Sequence, residues 1–197
     1  MHRPVGEEGD PIGSNSKTFE QVFRDDTSPA SDYWYTDTAI PTLGQGRRKM
    51  VLARRFTAVT TPLGIDLTNW PDSATFSSTT PQGAQFEIQD SYKVPTIFNI
   101  GDKWGHVAAL LPKAQAAPSN QWFINYLSGS GAAFPNAVAY GSPGIQGINR
   151  RMLRWLMFAL DRPGRFGTIM MDFPEFPGDN ELIEFIYGTN FGPGVTY

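Results

Sequence analysis

Four side chains that can bind an oxygen-rich ligand stand at or just beyond the ends of short apolar runs: Arg55, Asp90, Tyr92 and Asp172. A guanidinium binds phosphate or paired hydroxyls, a carboxylate accepts hydrogen bonds from hydroxyls, and a tyrosine ring offers a flat face. This combination suits a polyol phosphate better than an apolar ligand. Alternatives stay open, because an arginine at a strand end could form a surface ion pair and each aspartate could satisfy a loop, a turn or a helix cap.

The apolar runs that carry these residues predict strands over 49–56, 85–90, 122–127 and 166–172. Short continuous apolar runs between Pro and Gly are typical of strands buried on both faces of a parallel sheet. Helical periodicity over 97–115, 149–160 and 180–187 places a helix after each of the last three strands. The order predicts an α/β fold of about four parallel βα units with its strand ends at one rim, either an incomplete TIM-type (β/α) barrel or a small open sheet.

The remaining segments are predicted to be mostly irregular. Residues 1–16 are rich in Gly, Pro and acidic residues and are expected to be a flexible segment, followed by a helix with Ser16 as its N-cap. Residues 57–84 predict a long connection with little regular structure, of the kind that often carries function. The loop 128–131, Ser-Gly-Ser-Gly, could approach a ligand closely or could simply be flexible.

Composition excludes several classes of protein. A formal net charge of -3 over 197 residues offers no case for nucleic acid binding. Cysteine is absent, which excludes disulfides and thiolate metal sites, and no metal-ligand or cofactor motif is present. No apolar run approaches the ~20 residues that span a bilayer, and no signal peptide is visible. We expect a soluble protein without cofactor or metal, in a compartment that the sequence does not define.

Five short segments, in this order, resemble motifs of the phosphatidylinositol-specific phospholipase C family in its compact bacterial and fungal form. The first joins Thr-Leu-Gly-Gln at 42–45 to the run 49–56, and the second is Trp-Pro-Asp at 70–72. The third is Gln-Asp-Ser-Tyr-Lys-Val at 89–94, the fourth covers 122–131, and the fifth covers 165–172. No single motif is specific, but their order is. The resemblance extends over residues 16–191.

The resemblance implies a barrel and a set of roles. Arg55 would contact the inositol or its phosphate, Asp90 would accept hydrogen bonds from inositol hydroxyls, and Tyr92 would lie against the ring. Asp172 would orient a histidine that acts as general base. In this family one histidine deprotonates the inositol 2-hydroxyl, a cyclic phosphate forms, and a second histidine protonates the diacylglycerol leaving group. An arginine stabilises the charge on the phosphate.

The departures from the family limit what the chain is expected to do. The two histidines and the phosphate arginine belong to early strands of the barrel, and neither His2 nor His106 lies in a matching motif. Arg48 stands where the family has glycine, and Ser73 where it often has asparagine. We therefore expect residues 17–197 to form the C-terminal half of the barrel, truncated and inactive alone, a pseudoenzyme. The alternatives are a non-catalytic phosphoinositide or inositol phosphate binding module, and a polyol or carbohydrate binding protein without a role for phosphate.

The expected partners follow from the same reading. A phosphatidylinositol or inositol phosphate headgroup is the expected ligand, with transient contact to a membrane surface. Half a barrel leaves open sheet edges and an uncovered inner face, so side chains such as Val51 and Ile88 should meet solvent in a monomer. Exposed apolar surface of this kind favours self-association.

Overall fold

The structure, a computed structural model, describes residues 17–60, 63–118, 120–159 and 164–191. The predicted flexible segment 1–16 and the proposed N-cap Ser16 lie outside these ranges. Contacts divide the chain into two compact units. The N-terminal unit holds the described residues up to Trp70 together with Ser78–Gln85, and the C-terminal unit holds Pro71–Ser77 and the described residues from Phe86 onward.

Short helices and strands alternate along the described chain. Its α-helices are α1 (Phe19–Thr27), α2 (Leu43–Gly46), α3 (Ile100–Ala116), α4 (Pro135–Tyr140), α5 (Ile148–Ala159) and α6 (Glu181–Gly188). Its strands are β1 (Trp34–Tyr35), β2 (Met50–Val51), β3 (Ala53–Arg54), β4 (Ile65–Asp66), β5 (Thr75–Thr79), β6 (Gln85–Gln89), β7 (Gln121–Tyr126), β8 (Gly141–Ser142), β9 (Ile145–Gln146) and β10 (Thr168–Met170). Short 3₁₀ helices cover Ser28–Tyr33 and Ile97–Asn99.

In the N-terminal unit, the predicted strand 49–56 is extended but changes partner at its middle. Its first half, β2, pairs in parallel with β1, and its second half, β3, pairs in parallel with β4. Leu52 joins the halves: its N–H donates to the carbonyl of Tyr35, and its carbonyl accepts from the N–H of Ile65. The neighbouring Gly64 has a φ of +63°, and a Cβ there would lie 2.7 Å from the Leu52 carbonyl oxygen, so this crossing requires glycine.

A capping box starts α1 in the same unit. The Thr18 hydroxyl accepts from the N–H of Gln21, and the Gln21 side chain accepts from the N–H of Thr18. The helix therefore begins two residues later than the Ser16 cap predicted. Aromatic rings of Phe19, Phe23, Trp34 and Phe56 pack within the unit, with centroid distances of 4.7 to 6.3 Å.

One four-stranded sheet has the order β10-β7-β6-β5. β10 pairs with β7 in parallel, and a parallel bridge between Lys93 and Ser130 shows that the segments after β6 and β7 also run in one direction. β5 is different: hydrogen bonds from Asp90 N–H to Ala74 and from Thr80 N–H to Ala84 join opposite ends of β5 and β6, so these two strands form an antiparallel hairpin.

This sheet differs from the run of four parallel strands that the sequence predicted. Three of the predicted strands, β6, β7 and β10, share it and run in parallel, but the predicted strand 49–56 pairs in other sheets. The fourth place is taken by β5, which lies inside the segment 57–84 that was predicted to be irregular. Four of its five residues are Thr or Ser, and its positions alternate between exposed and half-buried, which is typical of an edge strand. A search for apolar runs does not find such a strand.

Helices α3, α5 and α6 pack the core of the C-terminal unit, and their positions agree with the predicted helices. The fully buried side chains of this core include Val107, Leu111, Leu127, Met152, Leu156 and Leu182. Ile88, which was expected to meet solvent, is completely buried within the single chain, whereas Val51 is half-buried. The chain covers Ile88 without a second copy, so the prediction for this side chain was wrong, and it gives no support to self-association.

Candidate functional site

Asp90 and Asp172 follow the carboxyl ends of two strands in the same sheet. Asp90 comes directly after β6, and Asp172 comes two residues after β10. Both strands run parallel to β7, which lies between them. Because neighbouring strands are about 4.8 Å apart, the two backbone positions are separated by about 10 Å across one end of the sheet. Parallel order thus brings the two predicted carboxylates to one rim.

Strand alternation places both aspartates in phase with the same face of the sheet. Asp172 is in phase with Thr168, whose hydroxyl accepts a 2.9 Å hydrogen bond from the indole N–H of Trp122. Asp90 is in phase with Phe86, whose ring lies 5.6 Å from that of Trp122. The contacts of Phe86 and Thr168 with Trp122 show that these side chains lie on one face of the sheet, and Asp90 continues the alternation of β6 on that face.

Tyr92 is held at this rim by an acidic turn. Its phenol O–H donates to Asp72 Oδ1 at 2.6 Å, and the ammonium group of Lys93 donates to Asp72 Oδ2 at 2.7 Å. The hydrogen bond to Asp72 raises the pKa of Tyr92, so the phenol stays protonated and remains a donor. The N–H of Tyr92 also donates to the carbonyl of Asp90 at 2.8 Å. Asp72, to which the sequence assigned no role, thus fixes the aromatic side chain beside Asp90.

The glycines of the loop 128–131 allow this loop to pack closely against the segment 92–94. A Cβ on Gly131 would lie 2.3 Å from the carbonyl oxygen of Val94, and one on Gly129 would lie 3.1 Å from that of Tyr92. Backbone hydrogen bonds of 2.9 Å connect Ser130 with Tyr92 and with Val94. The loop is therefore packed against the segment that carries Tyr92, and neither the ligand approach nor the simple flexibility suggested by the sequence is needed to explain its glycines.

Asn149 holds the turn that contains Asp172. Its side-chain amide donates to the carbonyls of Asp172, Phe173 and Phe176 at 3.0 to 3.1 Å, and the side chain is 1% exposed. Phe173 has a φ of +52°, a left-handed conformation that is costly for a bulky residue and that these hydrogen bonds help to fix. No sequence pattern indicated a role for Asn149, because its partners are carbonyls more than twenty residues away.

The two arginines of the N-terminal unit have different environments. Arg54 is 4% exposed and donates to the Asp66 carboxylate at 2.7 Å and to the carbonyls of Leu63 and Phe56. Arg55 is exposed: its guanidinium lies 5.3 Å from the ring centroid of Trp70 and donates to the Trp70 carbonyl at 3.2 Å. Arg54 is therefore a structural ion-pair residue, and Arg55 is the one of the two that solvent can reach. Its role as a ligand residue stays a prediction.

Three further features were considered from the sequence: a histidine, a metal site and a membrane-spanning helix. His106 is exposed on α3. Among the described residues, no group of three His, Asp or Glu side chains is arranged to hold a metal ion. Within the described ranges, no helix combines the length and the apolar character needed to cross a bilayer. What the rim offers chemically is hydrogen-bond acceptors from two carboxylates beside a fixed phenol, an arrangement suited to neighbouring hydroxyl groups.

Comparison with known proteins identifies a structural relative. No family model matches the sequence. Two structures of phosphatidylinositol-specific phospholipase C from Staphylococcus aureus, from work on the modulation of its membrane binding, are 25% identical to this chain with TM-scores of 0.69 and 0.70. A variant of the same enzyme is 26% identical with a TM-score of 0.68. Each match covers 89% of this chain and 59% of the other.

These matches confirm the resemblance seen in the sequence motifs. The neighbour is a TIM-barrel enzyme, and this chain is α/β, as predicted. The chain spans 59% of the length of the structures that it matches. It therefore matches part of a phosphatidylinositol-specific phospholipase C-like protein.

Proposed function

We propose that this chain, which matches part of a phosphatidylinositol-specific phospholipase C-like protein, binds an inositol phosphate headgroup and forms an incomplete barrel of that type. The observation that supports the proposal is that Asp90 and Asp172 follow parallel strands at one end of one sheet, in a fold similar to that of the Staphylococcus aureus enzyme.

Each predicted residue has a role in this proposal. Asp90 accepts hydrogen bonds from ring hydroxyls, and Tyr92, fixed by Asp72, lies beside them. Asp172 corresponds, by the family resemblance, to the carboxylate that orients the general base. Arg55 is exposed in the N-terminal unit, and its proposed role as a contact to the inositol or its phosphate comes from the family resemblance. A lipid carrying this headgroup brings the chain into transient contact with a membrane surface, in keeping with the membrane binding studied in the neighbour.

Binding of soluble myo-inositol 1-phosphate, measured by calorimetry, tests the proposal. We expect Asp90→Asn to weaken binding by at least tenfold, because a hydrogen bond to a charged group contributes about 1.5–3 kcal/mol. The matched control is Asp102→Asn, since Asp102 is an exposed carboxylate on α3. Equal loss in both variants, or no binding by the unaltered protein, would contradict the proposal.

A second candidate function, binding of neutral polyols, is favoured if the phosphate group does not change the binding affinity. Two carboxylates and a tyrosine also describe a site for neutral polyols, in which the phosphate has no partner. In that case myo-inositol would bind as tightly as its phosphate, and raising the salt concentration would leave the affinity unchanged. Tighter binding of the phosphate, reduced by Arg55→Met, separates the headgroup site from the polyol site.

A further inference from the structure

A groove lies between α5 and the turn that leads into α6. Its volume is about 400 Å³, which is within the range of sites that bind small molecules. Helix α5 contributes Arg150, Leu153 and Arg154 to its lining, and the turn contributes Pro177 and Gly178. Leu153 is 6% exposed, so the groove has an apolar part beside its charges. None of the lining residues belongs to the candidate site at the rim, so the groove is a separate feature of the C-terminal unit.

The groove brings together two guanidinium groups that lack a counter-charge. Arg150 and Arg154 are four residues apart, so their side chains are neighbours on one face of α5. Both are exposed, and neither forms an ion pair within the described ranges. Like charges at this spacing destabilise a helix. An anion bound between the two guanidinium groups would remove that repulsion.

An aromatic ring orients one of the two arginines. The guanidinium carbon of Arg150 lies 5.6 Å from the centroid of the Phe176 ring, which is within the range of a cation–π contact. The turn that carries Phe176 is fixed in its own right, because the Asn149 amide donates to the Phe176 carbonyl at 3.1 Å. Stacking uses the flat face of a guanidinium and leaves its N–H edge available for two oxygens of one anion.

The other polar groups of the groove leave its lining positively charged. Glu181 is the acidic residue of the lining, and its carboxylate forms no ion pair with either arginine. The Gln146 side chain is half-buried, and its amide supplies a further donor. Two guanidinium groups and one carboxylate give the groove a net positive charge in a chain whose formal net charge is -3. The other acidic residues of the stretch 175–184 are not among the lining residues: Glu175, Asp179 and Glu184.

We propose that this groove is an anion site in which Arg150 and Arg154 together bind a phosphate group, either of a soluble phosphate monoester or of a lipid. A monoester phosphate has three terminal oxygens, enough to accept hydrogen bonds from both guanidinium groups and from the Gln146 amide at once. The inference goes beyond the proposed headgroup site and does not depend on it, because it uses none of the residues at the rim.

Titration with inorganic phosphate tests the inference, followed by NMR at a constant ionic strength that is set with chloride. We expect the unaltered protein to bind phosphate in the millimolar range. Arg154→Gln should weaken this binding about tenfold, because one charge-assisted contact is lost. The variant should still fold, since its side chain is exposed. Glu181→Gln should strengthen the binding severalfold, because it removes a negative charge beside the anion.

Lys113→Gln is the matched control for the loss of one positive charge. Lys113 lies on α3 and is paired with Glu87, so this variant changes the net charge by the same amount without touching the groove. Its affinity for phosphate should equal that of the unaltered protein. Asp90→Asn should leave phosphate binding in the groove unchanged as well, so failure of the proposed headgroup site and failure of this inference give different results.

Two further probes distinguish the possible sources of the phosphate group. Glycerol 3-phosphate represents a soluble monoester, and vesicles of phosphatidylcholine with phosphatidic acid represent a lipid. The probe that loses affinity in Arg154→Gln, and keeps it in Lys113→Gln, identifies the source. Three results would overturn the inference: no binding of inorganic phosphate by the unaltered protein, an equal loss in Arg154→Gln and Lys113→Gln, or an affinity that neither Arg154→Gln nor Glu181→Gln changes.

Discussion

At the scale of residues, the Arg54–Asp66 pair shows how one of two adjacent arginines becomes structural. Arg54 is 4% exposed, and its guanidinium donates to Asp66 and to two carbonyls. Burial alone would raise the pKa of Asp66, but hydrogen bonds from Thr68 and the charge of Arg54 together hold that pKa below its usual value. The pair therefore ties β3 to β4, and Arg55, the next residue, remains exposed.

Asp66→Asn should destabilise the protein by about 3 kcal/mol, because it leaves a buried guanidinium without its counter-charge. The effect should depend on pH. The pKa of Asp66 is lower in the folded protein than in the unfolded chain, so its stabilisation is fully present above the unfolded value and is lost as the pH falls through the folded value. Denaturant unfolding from pH 7 to pH 3 measures the difference in the free energy of unfolding between the variant and the unaltered protein. Asp25→Asn, in the exposed Lys17–Asp25 pair, is the control and should change stability by less than about 1 kcal/mol. A difference in the free energy of unfolding that stays constant with pH would contradict the stabilising role of the Arg54–Asp66 pair.

At the scale of elements, the sequence predicted what apolar patterning can specify. β6, β7, α3, α5 and α6 agree with their predicted ranges to within a few residues, because each buries apolar side chains with a regular period. The elements missed were α2, α4, β1, β4, β5, β8 and β9. Apart from β5, the strands among them have two residues each, and α2 and α4 are helices of four and six residues, too short to show a periodic apolar pattern.

The same distinction separates the site residues that the sequence predicts from those that it does not. Asp90 and Asp172 could be predicted because they end apolar strands. The residues that hold the site, Asp72 and Asn149, could not be predicted, since their partners lie 20 to 27 positions away and follow from tertiary packing. The predicted roles of Arg55, Asp90, Tyr92 and Asp172 as ligand or catalytic residues stay predictions.

The loop 128–131 offers a test of element packing. Gly131→Ala should destabilise the protein by about 1–3 kcal/mol, because its Cβ would lie 2.3 Å from the Val94 carbonyl oxygen and the backbone would have to move. Binding of myo-inositol 1-phosphate should weaken too, since the loop packs against the segment that carries Tyr92. Gly105→Ala is the matched control: it lies within α3, a Cβ there meets nothing within 4 Å, and alanine should stabilise the helix by up to about 1 kcal/mol. Thermal unfolding of both variants measures the effect. Equal unfolding midpoints for Gly131→Ala and Gly105→Ala would show that the loop tolerates a side chain at position 131.

At the scale of the whole molecule, histidines are scarce in a chain that is proposed to bind a headgroup. The sequence has two histidines, His2 and His106. The second is exposed on α3. Acid–base cleavage of a phosphodiester at neutral pH needs groups that titrate near that pH.

We therefore expect the 197-residue chain to bind the headgroup without cleaving phosphatidylinositol. The measurement is release of labelled inositol phosphate from mixed vesicles of phosphatidylinositol and phosphatidylcholine, with a complete phospholipase C as the positive control. Loss of a general acid or base costs about 10²–10⁴-fold in rate for each group, so release should stay at the level of vesicles alone. His106→Ala should leave both this level and headgroup binding unchanged. Steady turnover by the pure chain, abolished in His106→Ala, would assign catalysis to this histidine and contradict the reading of the chain as a binding protein.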